Sequence, residues 1–319
     1  HQTTITDAHA QGDVTLTSPS ANSYTGGLIG YITSAGDITD VSATGRVDAG
    51  GNEVGGLIGR LDHERHGYYN RARYGVDNAT ASGPVSTDGR YVGGLIGRHR
   101  FAKAVANATA AGDVTAGGDR VGGLIGEISD SEVIRSAATG DVTTGGEYVG
   151  GLIGYTEDGD VLQSYAQGGV TGTESVGGLI GYSLRDSVQD VYATGDISGQ
   201  TNVGGLIGYS NRGEVDVAYA TGTVTGTTRV GGFIGDAYDT AIKNSYADGE
   251  AGVVTVGGQP VTGQLTGRDR RGSGTPKGLT TAVMQGPGAP EAMTGFDFTA
   301  ETGTWRTDSE IGYPVFQWQ

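Results

Sequence analysis

Cysteine is absent from the 319 residues, which excludes a disulfide framework and any thiolate metal site. Lysine occurs only at Lys103, Lys243 and Lys277. No apolar run approaches the roughly 18 residues that a membrane-crossing helix requires, so no membrane insertion is expected. Phosphate-binding loops, Gly-x-Ser-x-Gly elbows and His-Glu-x-x-His are also missing, which removes three common routes to catalysis or cofactor binding. Tryptophan and methionine occur twice each, so stability must come from stacked backbone hydrogen bonds and small apolar side chains.

Glycine is abundant, with 62 residues against a usual share of about 7%. It has no Gly-X-Y period, which excludes collagen. The formal charge is −16, from 36 acids and 20 bases. Acid excess with few lysines keeps a surface hydrated where salt screens repulsion. It reads as the surface of a halophile, archaeal in character; an ordinary acidic secreted protein is the alternative. A field of this sign disfavours nucleic acid and anionic membranes as partners. The first residue is His1, which leads us to expect that an upstream segment such as a signal peptide has been removed.

The glycines are ordered by a repeat. Val-Gly-Gly-Leu-Ile-Gly occurs at 54–59, 92–97, 121–126, 149–154, 176–181 and 203–208. Variants lie at 25–30, where Thr25 replaces Val, and at 230–235, where Phe233 replaces Leu. Val256-Gly257-Gly258 reads as a worn copy. The spacing is 27–29 residues except for one interval of 38. Such a period marks a repeat architecture in which each unit buries its apolar face against its neighbours. A second element, as in Ala193-Thr-Gly-Asp-Ile197, precedes each Gly-Gly by about 10 residues. Short β-branched or aromatic runs ended by Gly, Asp, Asn or Thr are strand–turn grammar with no room for a helix.

A propeller blade needs about 40 residues, so the spacing predicts a solenoid. The expected fold is an all-β, right-handed parallel β-solenoid of about nine coils, each with three faces, and a C-terminal cap. Coils would rise about 4.8 Å each. Corner glycines would supply positive φ and let coils approach closely.

Equal offsets should stack into ladders. Tyr165, Tyr192, Tyr219 and Tyr246 form one; Tyr155, Tyr182 and Tyr209 form another. Stacked rings stabilise parallel coils, and an exposed row would suit sugar rings. Asp113 and Asp141 also share an offset. Their repulsion calls for screening in brine or for a bridging Ca²⁺, although the nonapeptide of Ca²⁺-binding β-rolls is absent.

The 38-residue interval carries an insertion near 60–74. Residues 60–103 hold eight basic and four acidic residues, leaving −20 on the remainder. Candidate ligand- or partner-binding residues are Arg60, His63, Arg65, His66, Tyr68, Tyr69, Arg71, Arg73, Arg98, His99 and Arg100. Arg, His and Tyr together suit acidic glycans, carboxylates or an acidic neighbouring subunit; an insertion that only ion-pairs with the rod is the plain alternative. His63, His66 and His99 are a weak metal constellation without a known third-ligand distance. Asn78-Ala-Thr80 and Asn107-Ala-Thr109 are glycosylation sequons at the same offset.

Residues 1–258 thus form the repeat domain. In 259–319 the composition changes: both Trp, both Met, five of seven Pro and three of five Phe lie in the last 62 residues. We expect a C-terminal capping or assembly segment, loose near 268–290. Trp305, Tyr313, Phe316 and Trp318 would dock on a neighbouring subunit, with Ile5 at the opposite end completing a neighbour's coil.

The Val-Gly-Gly-Leu-Ile-Gly blocks, their intervening Tyr-Ala-Thr-Gly-x-Val and the closing Trp305-x(7)-Tyr313-Pro314-x-x-Gln317 resemble GLUG-motif repeats, found in large bacterial and archaeal surface and secreted proteins. The resemblance covers roughly 8–258 and the tail. It implies a β-solenoid used in adhesion or as a stalk, and it carries no catalytic residue over to this chain; the insertion departs from it. The expected function is a non-enzymatic extracellular structural or adhesive protein that assembles with itself. A glycan-binding module or a polysaccharide-active β-helix enzyme seated on the basic patch are the alternatives.

Overall fold

A computed structural model describes residues 4–17, 23–33, 36–62, 75–101, 103–250, 253–272, 274–307 and 312–319. Each repeat winds once through four short strands, and equivalent strands of successive coils pair in parallel and in register. Coil 1 runs through Ile5–Ala10, Val14–Leu16, Thr25–Gly26 and Ile29–Thr33, which open sheets A, B, C and D respectively. Eight coils are complete, and the eighth closes with Ile234–Tyr238.

The expectation of a parallel β-solenoid holds, with two corrections. Coils have four sheets, because Val-Gly-Gly-Leu-Ile-Gly turns a corner within itself: Val-Gly belongs to sheet C and the following Ile-Gly opens sheet D. The ninth coil is incomplete. Gly257 (φ 57°) and Gly258 (φ 82°) are a two-residue turn that folds Gln259–Val261 antiparallel onto Val254–Val256. Two consecutive positive φ values are what a tight hairpin requires of its turn. They make this the end of sheet B and not a worn copy of the core block.

The core is two columns. Between sheets A and D stack Ile, Val and Ala with the buried Leu57, Leu95, Leu124, Leu152, Leu179 and Leu206 and with Phe233. Between sheets B and C stack valines such as Val47, Val85 and Val114 against Val54, Val92 and Val121. These branched side chains suit half-pleated surfaces, and each burial is worth about 1.5–3 kcal/mol.

The repeat glycines serve close approach alone. No repeat glycine has positive φ; that conformation falls on corner residues such as Glu53, Tyr91, Tyr148 and Asn202. A Cβ on Gly93 would lie 2.1 Å from the Ile96 carbonyl oxygen, and one on Gly94 2.1 Å from the carbonyl oxygen of Gly123 in the next coil. Ala110 fits because it faces Gly94, whose added Cβ would sit 3.0 Å from the Ala110 Cβ.

Residues beyond 258 do not simply plug the end. Thr266–Arg270 extends sheet D and Lys277–Leu279 extends sheet A, so the stretch expected to be loose includes ladder strands. The chain then forms two short helices, Thr281–Gln285 and Ala289–Ala292, and the hairpin Trp305–Thr307/Pro314–Phe316. It runs back along the outer face of sheet A, over the tyrosine column.

Candidate functional site

The described part of the basic patch forms an ion network on sheet D. The third residue of successive sheet D strands makes one column: Tyr31, Arg60, Arg98, Glu127, Tyr155, Tyr182, Tyr209, Asp236 and Arg268. Glu127 is fully buried. It accepts hydrogen bonds from Arg98 Nε (3.0 Å) and Arg100 Nε (2.6 Å) and pairs with Arg120. Glu53 takes Arg98 at 2.9 Å and Arg60 at 3.2 Å, while Arg60 Nε also reaches Asp62 at 2.5 Å. Burial pushes the Glu127 carboxyl up, but Arg120, Arg98 and Arg100 more than offset it and hold it below the usual carboxylate range. Arg120 also lies over the rings of Tyr155 (4.4 Å) and Tyr91 (5.3 Å), and Arg98 lies over Tyr91 at 4.6 Å, favourable cation–π geometry.

Asp236 repeats this arrangement at the other end of the tyrosine run. Fully buried, it receives Arg268 and Arg270 at 2.8 and 2.7 Å. Tyr155, Tyr182 and Tyr209 stack between the two clamps at 5.2 and 4.8 Å with interplanar angles of 14° and 22°. Glu127, Asp236, Arg268 and Arg270 escaped the reading of the sequence. Their only signal was a break in the Tyr column at equal offsets.

Arg60, Arg98 and Arg100 are therefore brought together, with their charges already met by the chain's own carboxylates. His99 lies fully buried at a core position opposite Leu61 and Ile128. His63, Arg65, His66, Tyr68, Tyr69, Arg71 and Arg73 lie outside the described residues. Among the described residues, no group of three or more His, Asp or Glu side chains is placed to hold a metal ion.

Asp113 and Asp141 do stack, and the physical reason is a hydrogen bond that sequence reasoning did not foresee. The Asp141 backbone N–H donates to Asp113 Oδ1 at 2.9 Å, and the Gly169 N–H donates to Asp141 Oδ1 at 2.7 Å. Each carboxylate thus caps the next coil's corner.

The second tyrosine column stands on sheet A. Tyr165, Tyr192 and Tyr219 stack at 4.9 and 5.0 Å, within 5° of parallel. Tyr192, Tyr219 and Tyr246 are buried by the C-terminal segment. This relocates the residues expected at an intermolecular junction. Trp305 (0% exposed) packs 4.6 Å from Phe296 and 4.4 Å from Phe316, and its Nε1–H donates to Asp190 at 3.0 Å. Tyr313 donates to the buried Asp248 at 2.7 Å, and the Tyr219 hydroxyl donates to the Pro314 carbonyl at 2.6 Å. Trp318 stays 43% exposed, stacked on Phe316 at 5.4 Å. Ile5 is half-buried in the edge strand of sheet A.

Both sequon asparagines are exposed on sheet A, on adjacent coils and in one column, at φ 50° and 49°.

The in-register coils, the corner block and the paired columns define a parallel β-solenoid. Three stretches match the GLUG motif, residues 21–48, 145–171 and 172–198. A stretch of 66 residues is 50% identical to Halomucin from Haloquadratum walsbyi, a halophilic archaeon, covering 20% of this chain and 1% of that protein. No solved structure matches the chain at a significant level.

Proposed function

We propose that this chain is a non-catalytic structural rod of an extracellular or cell-surface protein of a halophile, joined to copies of itself through an exposed solenoid end. The observation that carries the reading is the use of side chains along the rod. Arginine, carboxylate and tyrosine columns bind coil to coil, and the stacked rings of Tyr155, Tyr182 and Tyr209 cover one another's faces. Sugar stacking needs open ring faces, so these columns favour a structural role over glycan binding.

The first coil supplies a joint. Among the described residues, its four strands pair on one side only, with Ile5, Ala8, Leu28, Ile29 and Ile32 only partly buried. Open strand edges of this kind template further pairing. The GLUG repeats, the similarity to Halomucin and the charge of −16 support the extracellular, high-salt setting. The charge also sets the rod against nucleic acid. Electron microscopy and light scattering of the purified chain in molar salt test the proposal. Rods that lengthen with concentration, and shorten when Ile5 is replaced by Lys, are the expected result. A monomer at every concentration overturns self-assembly.

A further inference from the structure

The outer face of sheet A is divided between two kinds of residue at the same pair of offsets. In every coil a residue with positive φ is followed two places later by an outward side chain. In coils 6 to 9 these pairs are Gln163 and Tyr165, Asp190 and Tyr192, Val217 and Tyr219, and Asn244 and Tyr246. There the C-terminal segment covers them: Val217 is buried in its cluster, Asp190 accepts the Trp305 N–H, and Gly295 sits against Asn244. In coils 3 and 4 the same offsets carry Asn78 with Thr80 and Asn107 with Thr109, and both asparagines are exposed.

The chain has eight asparagines, and only these two head an Asn-x-Thr/Ser sequon. Both fall in one column on neighbouring coils, on a part of sheet A that, among the described residues, the C-terminal segment does not cover. We infer that Asn78 and Asn107 are acceptors for N-linked glycans, and that these glycans cover the part of sheet A left open by the C-terminal segment. The inference rests on the extracellular placement proposed above.

The side-chain geometry suits the modification. Asn78 Nδ2 donates to Asp40 Oδ1 at 2.5 Å and Asn107 Nδ2 donates to Asp77 Oδ1 at 2.7 Å. One amide hydrogen of each is engaged, which holds the amide on the surface. The other is the one replaced. In the transfer, Nδ2 forms a bond to the anomeric carbon of a lipid-linked oligosaccharide, the bond from that carbon to the phosphate oxygen breaks, polyprenyl phosphate leaves and Nδ2 gives up one proton. The remaining N–H keeps its carboxylate partner, so glycosylation need not disturb the coil.

The test is to export the whole chain behind a secretion signal from a halophilic archaeal host that glycosylates asparagine, and to map the purified protein by mass spectrometry. Export is imposed, so the result reads the acceptor face alone; a failure here leaves the structural-rod reading standing. Sugar mass increments on the peptides carrying Asn78 and Asn107 are expected. Asn78→Gln and Thr80→Val should each remove the first, and Asn107→Gln and Thr109→Val the second, with unchanged circular dichroism. Modification at either site upholds the assignment of this face. Both asparagines unmodified, in cells that glycosylate their own exported proteins, overturns it.

Discussion

Replacing Trp305 with Ala tests whether the C-terminal segment is an intramolecular cover. A buried indole removes about 150–250 Å² from water, which at roughly 25 cal/mol/Å² is about 4–6 kcal/mol. Direct measurements of Trp→Ala in cores fall at about 3–5 kcal/mol. The lost bond to Asp190 adds about 1–3 kcal/mol, because a half-buried carboxylate then loses one of its two side-chain donors and keeps only Gln189. The sum exceeds what two short helices and one small hairpin can hold, so the segment from about 281 to 319 should detach. The coils should remain, since their backbone bonds and both core columns lie elsewhere. Hydrogen exchange in molar salt provides the assay, because local opening has its own free energy in such arrays. Amides of Trp305–Thr307, Val315 and Phe316 should lose protection while those of sheets C and D keep theirs. A cost below about 1 kcal/mol with the hairpin still protected would refute the packing argument. So would loss of protection throughout the rod.

Two further outcomes follow from buried carboxylates. Glu127→Gln leaves Arg98, Arg100 and Arg120 around a neutral group, and breaking such a pair costs about 3–5 kcal/mol. Because the folded carboxyl is held below its ordinary value, its stabilisation is complete above the unfolded pKa of about 4.3 and fades as pH falls through the folded value. Glu127→Gln should therefore flatten the acid limb of a denaturant titration; an unchanged limb would contradict the network. Asp186 behaves oppositely. Burial raises it to about 7 despite hydrogen bonds from the Gly159 N–H, the Ser183 hydroxyl and the Leu184 N–H. Stability is then greatest below the unfolded value of about 3.9 and is lost as pH rises toward 7, by about 4 kcal/mol at 1.36 kcal/mol per unit. Asp186→Asn should abolish that slope, measured as the denaturation midpoint at pH 4 and pH 7; equal slopes in both proteins would refute the assignment.

Much of the fold was legible because a solenoid converts sequence period directly into space. A 27–29-residue repeat of Val-Gly-Gly-Leu-Ile-Gly names the coil and its register, since equal offsets must meet when strands pair in parallel. The Tyr ladders and the stacking of Asn78 on Asn107 follow from the same rule. The candidate site was legible only as a local excess of arginine. That Arg98, Arg100 and Arg120 converge on Glu127 depends on the outward side of one sheet, and offsets alone do not say which side of a strand faces the core.

What the sequence by itself determined is therefore the repeat: the coil length, the stacking of its glycines and the side chains that recur with it. What only the tertiary structure decided is the path of the backbone inside each repeat and everything aperiodic. The four-sheet cross-section depends on where the backbone turns inside a six-residue block. The hairpin at Gly257-Gly258 uses the letters of the repeat for a reversal. Trp305, Tyr313 and Phe316, placed in sequence after the last coil, return along the rod to cover Tyr192, Tyr219 and Tyr246. Nearest-neighbour stacking constrains each coil by the one before it, whereas a segment without a period is placed only by the apolar surface left for it to bury.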